Sequence, residues 1–513
     1  MRSWHDHLPP QSDLSLSDLS SEGTLLRAWS ERWEQDPGAR LWMEMESGTG
    51  AAHRPGSENG RWWTAEAFDV ATRRAAGRLR AVGLRPGERV IWSTDSSVSS
   101  LVAHVGALRA GLVVVPANTS YSERELAYIV DDVRPAAAIV DRSDQGEWIR
   151  GASDGAVRVI GSDLDLPDGD PGPIDAAAPD DPALICFTSG TTGAPKGAVL
   201  RHRNLLAATK SVMVAWRWGP EDLLVHCLPL FHAHGLCVGA YGTMLAGASA
   251  VLLPGFDPEA VAEAAETHHA SLFFGVPTMY HRLVHSGLAP RLGRLRLCVS
   301  GSAPLSRDLH HQVSAAIGTS VLERYGMTET LMNVSNPYEG ERRPGTVGFP
   351  LPGVEIRITA DEEILVRGPN VFDGYWQRPE TNREMLIPAD DGGSAWFRTG
   401  DLGEDRDGYL VIRGRSKELI ISGGFNVYPG EVEDVVASCP GVAEVAVTGT
   451  SSDEWGEIVT AWIVADGTPP SVEDLADFTA STLASYKRPR LVHVVDELPR
   501  NALGKVVRSE LGS

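Results

Sequence analysis

Between Phe187 and Leu200 the chain reads FTSGTTGAPKGAVL. Consecutive small residues let backbone N–H groups point into one concavity, which holds an anion. Thr188, Ser189, Thr191 and Thr192 add hydroxyl donors, and Gly190 and Gly193 let the backbone approach closely. Lys196 supplies a mobile point charge suited to a phosphate. The chemistry specified is capture of a polyphosphate. A flexible glycine linker would need neither the four hydroxyls nor Pro195-Lys196. The string is also not a Walker A loop, which requires G-x-x-x-x-G-K-[ST]. Here Gly190 is followed by TTGAPKG, so a P-loop NTPase or kinase fails on spacing.

Four more strings follow: RYGMTET at 324–330, RTGDLG at 398–403, GRSKELIISGGFNVYPGEVE at 414–433 and PRNALGK at 499–505. Taken in this order with the first, they resemble the adenylate-forming superfamily of acyl-CoA synthetases, peptide-synthetase adenylation domains and luciferases. The resemblance covers about residues 180–510. It implies a two-step reaction. A carboxylate attacks the α-phosphate of ATP, giving an acyl-adenylate and pyrophosphate, and a thiol then displaces AMP. A free carboxylate repels nucleophiles, and the adenylate removes that charge.

The resemblance also implies residue roles. Glu329 is a hard oxygen ligand suited to Mg²⁺, and Thr328 donates to the α-phosphate. Tyr325 offers an aromatic face to adenine, beside Gly326 and Glu323. Ser302, Ala303 and Pro304 line its other side, in the string SGSAP that starts at Ser300. Asp401 is an acceptor-only carboxylate suited to both ribose hydroxyls. Arg415 falls where the family's ribose-contacting arginine falls, and Lys417 at its hinge. Lys505 is the implied catalytic lysine, bridging the acid and the α-phosphate as charge develops. A small C-terminal domain must then swing so that the thiol can enter. SGGFN at 422–426, with Gly423 and Gly424, would leave room for a narrow pantetheine arm.

Acid identity rests on LPLFHAHGL (228–236), GVPTMYHRL (275–283), RLCVSGSAPL (296–305) and LERYGMTETLMNVSNPYEGERRPGTVG (322–348). Together these look like malonyl-CoA synthetases, which activate malonate and methylmalonate. A second carboxylate cannot be buried without a cationic partner. Arg296, at the start of a buried strand, is the first choice and Arg324 the second. His232 and His234 fall in the loop that lines the acyl site, with Ser300, Gly301 and Met327 around the acid. The acceptor expected is free coenzyme A. A separate carrier protein, another small, medium-chain or aromatic acid, and a non-catalytic nucleotide-binding regulator stand as alternatives.

Those residues need elements to hold them. From Thr64 to Val140 helical and strand patterns alternate, and the rhythm resumes from Phe187 to about residue 330. Such alternation implies βαβ units and mainly parallel sheets. Beyond Gly345 short strands and turns (GVEIRI, EEILVRG, GYLVIRG) predict a β-rich subdomain over about 345–414. Within it, RITADEEILVRGP lacks the family's longer hairpin with its Gly-Glu pair. The expected α/β architecture is therefore a large N-terminal domain, 1–414, and a small mobile α+β C-terminal domain, 415–513. Capping-box spacings start helices at Ser122/Glu125 and Ser471/Asp474. The second is expected to carry SVEDLADFTASTLASY.

The 513 residues suffice for roughly three domain-sized cores. Hydrophobic residues make up 42% and charged residues 22%, an ordinary balance for a globular chain. A formal net charge of −22 disfavours nucleic-acid and anionic-membrane partners. The five cysteines show no CxxC, which predicts buried reduced thiols and a cytoplasmic protein. The N-terminus has no apolar run of signal-peptide type. Self-association into a homo-oligomer is left open.

Overall fold

The computed structural model describes residues 1–9, 12, 23–45, 60–174, 176–188, 195–452, 454–501 and 504–512. Short runs rich in β-branched residues, such as Val113–Pro116 and Ala137–Val140, are buried throughout. That pattern belongs to strands covered by helices on both faces. They join a six-stranded sheet in the order Arg158–Ile160, Ala137–Val140, Arg89–Ser93, Val113–Pro116, Pro182–Thr188, Lys196–Arg201. Every pair in it is parallel except the last, which is antiparallel.

A second sheet has nine strands. Its centre is parallel, through Leu322–Met327, Leu297–Ser300, Leu272–Gly275, Leu223–His226 and Ser249–Leu252. Leu331–Ser335 pairs antiparallel with Leu322–Met327 at one side, and at the other Arg40–Met45 pairs in parallel with Ser249–Leu252 before the antiparallel edge Gly60–Thr64. The helices between strands bury Trp29, Trp92, Trp216 and Tyr241 at under 2% exposure. Fully burying a Phe-sized side chain contributes roughly 2–3 kcal/mol, so these rings anchor the layer that carries the site.

The expected β-rich unit is an antiparallel five-stranded sheet of Glu355–Ile358, Glu363–Arg367, Trp396–Arg406, Leu386–Ile387 and Tyr409–Arg415. A last mixed sheet joins Phe425–Val427, Ile420–Ser422, Gly456–Ala465, Val442–Ser452 and Leu491–Val494. The helices Pro429–Val436 and Val472–Thr479 accompany it.

Both capping boxes form: Ser122 N–H donates to Glu125 at 2.8 Å and Ser471 N–H to Asp474 at 2.9 Å. The helix begun at Ser471 stops at Thr479, well before Tyr486. The Thr479 hydroxyl donates back to the Leu475 carbonyl at 2.7 Å, the competition by which hydroxyl residues erode helices. All five cysteines are buried and free. Among the described residues no helix is long and apolar enough to cross a membrane.

Candidate active site

The hairpin of Leu322–Met327 and Leu331–Ser335 builds the centre. A register shift falls between Tyr325 and Gly326, so the chain bends there. A Cβ on Gly326 would lie 2.0 Å from the Leu331 carbonyl oxygen, so only glycine lets the two strands close. Leu331 takes φ +55, which completes a tight turn through Thr328, Glu329 and Thr330. Glu329 is 5% exposed and accepts a hydrogen bond from the Tyr375 hydroxyl at 2.7 Å. Burial raises its pKa, while the Tyr375 bond pulls the other way. The Lys196 ammonium lies 5.4 Å from the centre of the same Tyr375 ring. Thr188, paired with Lys196 across the strands that flank the phosphate loop, donates to the Lys196 carbonyl at 3.4 Å. Ser189, Gly190, Thr191, Thr192 and Gly193 lie outside the described residues.

Two strands of the β-rich sheet deliver Asp401 and Arg415, which stand opposite each other in register. Arg415 Nε is 3.0 Å from Asp401 Oδ1, and the Tyr325 hydroxyl donates to Oδ2 at 2.6 Å. Each oxygen keeps a further lone pair for ligand hydroxyls. Lys505 is half-buried and joins this group. Its pKa is lowered, first by burial and next by Arg415, while Glu418 and Asp401 oppose the shift. Residues 325, 329, 401, 415 and 505, distant along the chain, thus converge on one charged surface. Lys417 is exposed on the 3-10 turn Ser416–Glu418. Gly423 and Gly424 (φ +59 and +82) form the exposed turn of the hairpin Ile420–Val427.

The residues expected around the acid form a cluster of buried polar groups. Strand Leu297–Ser300 ends at Ser300, whose hydroxyl is buried with no hydrogen-bond partner among the described residues. A Cβ on Gly301 would meet Arg324 Nε at 2.4 Å, so glycine is what admits the guanidinium. Ser302 adopts φ +68 and its hydroxyl is 3.2 Å from His234 Nδ1. Ala303 and Pro304 continue that loop, and Leu305 N–H donates to Glu323 at 3.4 Å. Glu323 is buried, which pushes its pKa to about 8.

Arg324 is 5% exposed, and its Nε and Nη2 have no partner among the described residues. Burial lowers its pKa to about 9. His232 is held neutral near pKa 4, and His234 lies well below its usual value, in each case by burial first and Arg324 second. His234 opens a π-helical turn, His234–Ala240, a geometry frequent at functional sites. Met327 is half-buried beside this cluster on the hairpin.

Arg296 corrects the first choice for the acid's second carboxylate. Its Nε and Nη2 form a bidentate pair with Asp222 at 2.7 and 2.5 Å. Its Nη1 and Nη2 also cap the carbonyls of Trp216 and Arg217, at the end of helix His202–Trp216. With four of its five N–H donors committed inside the protein, this guanidinium is a structural brace. The partner, 74 residues upstream, gives no sign of itself in the local sequence. Tyr375 is likewise hard to find from the sequence. Its only signal is an aromatic residue in the string DGYW at 373–376, well outside the motif that carries Glu329.

Fold and site together define an adenylate-forming enzyme, an acid–thiol ligase. The chain belongs to the AMP-binding enzyme family: residues 42–376 match the model of the AMP-binding enzyme and 431–505 that of its C-terminal domain. It is 35% identical over 488 residues to malonate–CoA ligase of Arabidopsis thaliana, covering 85% of this chain and 79% of that one. It is 35% identical over 459 residues to feruloyl-CoA synthase of Amycolatopsis, covering 85% and 91%. Among solved structures it resembles ATP-bound MatB of Rhodopseudomonas palustris, with 38% identity, TM-score 0.85, and 95% and 98% of the two chains covered.

Proposed function

We propose that this protein uses ATP to activate a small dicarboxylic acid, malonate or 2-methylmalonate, and transfers the acyl group to coenzyme A. The observation that carries the reading is Arg324, a buried guanidinium with two unpartnered nitrogens beside the acyl loop. An unpaired buried cation costs several kcal/mol. A planar carboxylate is the ligand group that removes the cost and matches the guanidinium fork. A monocarboxylic acid would leave Arg324 unpaired when its single carboxylate is turned toward ATP. The relatives' names divide between malonate and ferulate at equal identity, so the argument rests on Arg324 itself.

In this reading the acid's reacting carboxylate meets the α-phosphate next to Thr328, and Lys505 spans the two. Tyr325 and Asp401 hold the adenosine. Glu329 fits a Mg²⁺ site, since Mg²⁺ ordinarily takes one or two carboxylates plus phosphate oxygens. Burial also makes a nearby cation favourable for this carboxylate. When bound, the ion neutralises phosphate charge. Residues 1–414 act as the nucleotide- and acid-binding domain. Residues 415–513 act as the moving one, pivoting near Lys417 to exchange Lys505 for the Gly423-Gly424 turn.

The test is AMP release with ATP, Mg²⁺ and coenzyme A on a panel of malonate, methylmalonate, acetate, benzoate, ferulate and octanoate. The two dicarboxylates should lead by at least about tenfold in kcat/KM. A monocarboxylate that equals them overturns the dicarboxylate reading, and absence of AMP with every acid overturns the whole.

A further inference from the structure

The helix Pro277–His285 follows strand Leu272–Gly275 directly and begins with proline at its first position. Tyr280 and Leu283 bury its inner face, and the Tyr280 hydroxyl donates to the Val299 carbonyl at 2.9 Å. The helix is therefore fixed to the strand that leads into the acyl loop. Its outer face carries Thr278 and His281, three apart and so neighbours on one side. Neither has a part in the chemistry described above.

That face meets the turn that carries Lys505. Gly504 has φ +74, and a Cβ there would come 2.9 Å from Thr278 Oγ1 and 3.4 Å from its Cγ2. The turn is bonded to itself. Asn501 N–H donates to the Lys505 carbonyl at 2.9 Å, and Lys505 N–H to the Asn501 side chain at 3.0 Å. Arg500 Nη1 donates to the Gly504 carbonyl at 2.5 Å while Nη2 bonds Glu444 at 2.7 Å, and Arg500 pairs with Val506. The described residues at its two ends, Arg500–Asn501 and Gly504–Val506, thus hold one another in place. The surface against which it stops sets where Lys505 ends up.

We propose that Thr278 is the seat that registers Lys505 for adenylation. Thr278 is a positioning residue: it touches the glycine next to the lysine and fixes how deeply the turn docks. It serves only the first half-reaction, because thiol transfer requires the turn to withdraw. The inference rests on the reading of Lys505 as the adenylating lysine.

The experiment measures two rates separately: pyrophosphate formation from ATP and acid in the absence of thiol, and thiolysis of a supplied acyl-adenylate by coenzyme A. Thr278→Leu should slow adenylation by about tenfold or more, as misplacements near 1 Å do. It should leave thiolysis and the KM for ATP within about twofold, and Thr278→Ser should behave as the parent protein. Equal losses in both half-reactions, or none in either, overturn the seat. Thr278→Ala supplies an arm that needs no added bulk to fold: it removes the contact with Gly504, so it should slow adenylation while leaving thiolysis and the melting temperature unchanged, and adenylation equal to that of the parent protein counts against the seat. Lys505→Ala is the reference. If it retains adenylation, the reading of the lysine fails. If it loses adenylation while Thr278→Leu does not, the seat alone fails.

Discussion

The Tyr375 hydroxyl stands 2.7 Å from Glu329 Oε1, and Lys196 sits over the same tyrosine ring. One aromatic side chain thus links the carboxylate proposed for the metal to the lysine that ends the phosphate loop. The hydrogen bond favours the ionised form of Glu329 against the burial that raises its pKa.

Tyr375→Phe should therefore raise the Glu329 pKa further. The carboxylate is needed ionised, so activity is lost as pH falls through that pKa, and the acid limb of the adenylation profile should move to higher pH. A charge-assisted hydrogen bond of about 1.5–3 kcal/mol implies a loss of about tenfold or more at the midpoint. An unmoved acid limb would separate Tyr375 from Glu329.

Arg324 and Arg296 make opposite predictions. Arg324→Ala should cut kcat/KM for malonate by about a hundredfold or more, since truncating one partner of a buried charge pair costs about 2–5 kcal/mol, while acetate loses far less. Arg296→Ala should leave the malonate-to-acetate ratio unchanged and lower thermal stability instead, by about 1–3 kcal/mol, because Asp222 loses its charged partner. Ranking a few acids and measuring melting temperatures distinguishes the two arginines.

Lys505 predicts a split in alkaline behaviour. Its charged form is the one that bridges two anions, and burial and Arg415 lower its pKa below the usual lysine value. Adenylation should therefore decline on the alkaline side earlier than an ordinary lysine would allow. Thiolysis of supplied acyl-adenylate should not share that limb, and Lys505→Ala should remove it along with nearly all adenylation. A common alkaline limb in both half-reactions would count against the assignment.

Gly326→Ala tests the hairpin. The added methyl would meet the Leu331 carbonyl at 2.0 Å, so the strands must part and the Glu329 turn must shift. The expected result is loss of most adenylation with the far-ultraviolet circular dichroism retained. Full activity would mean that the closeness of these strands does not position Glu329.

Acid should destabilise the fold through its histidines. His104 is held neutral to about pH 3, and His202 and His226 to about pH 4, all by burial. Unfolded, each takes up a proton near pH 6.5. At these histidines the unfolded chain binds more protons between those values, so their contribution to stability is full above about pH 6.5 and is lost as pH drops toward 4. Melting temperatures across that window should show the fall, and His202→Gln should make it shallower.

Several features needed nothing beyond local sequence. Thr188 and Lys196 pair across adjacent strands because the segment between them is short and rich in glycine, a property of a few neighbouring residues. Ser122 with Glu125 and Ser471 with Asp474 close their own helix starts for the same reason. The burial of runs such as Val113–Pro116 follows from a continuous apolar pattern, and so does the mainly parallel sheet. Tertiary structure decided what each charge is for. Arg296 and Arg324 read alike along the chain, yet Asp222 occupies one and leaves the other bare. Tyr375 reaches Glu329 from outside its motif, and Thr278 meets Gly504 across more than two hundred residues. Partners brought together by folding carry no local mark, because an ion pair or a docking contact depends on distance in space, whereas propensity and capping depend on neighbours in sequence.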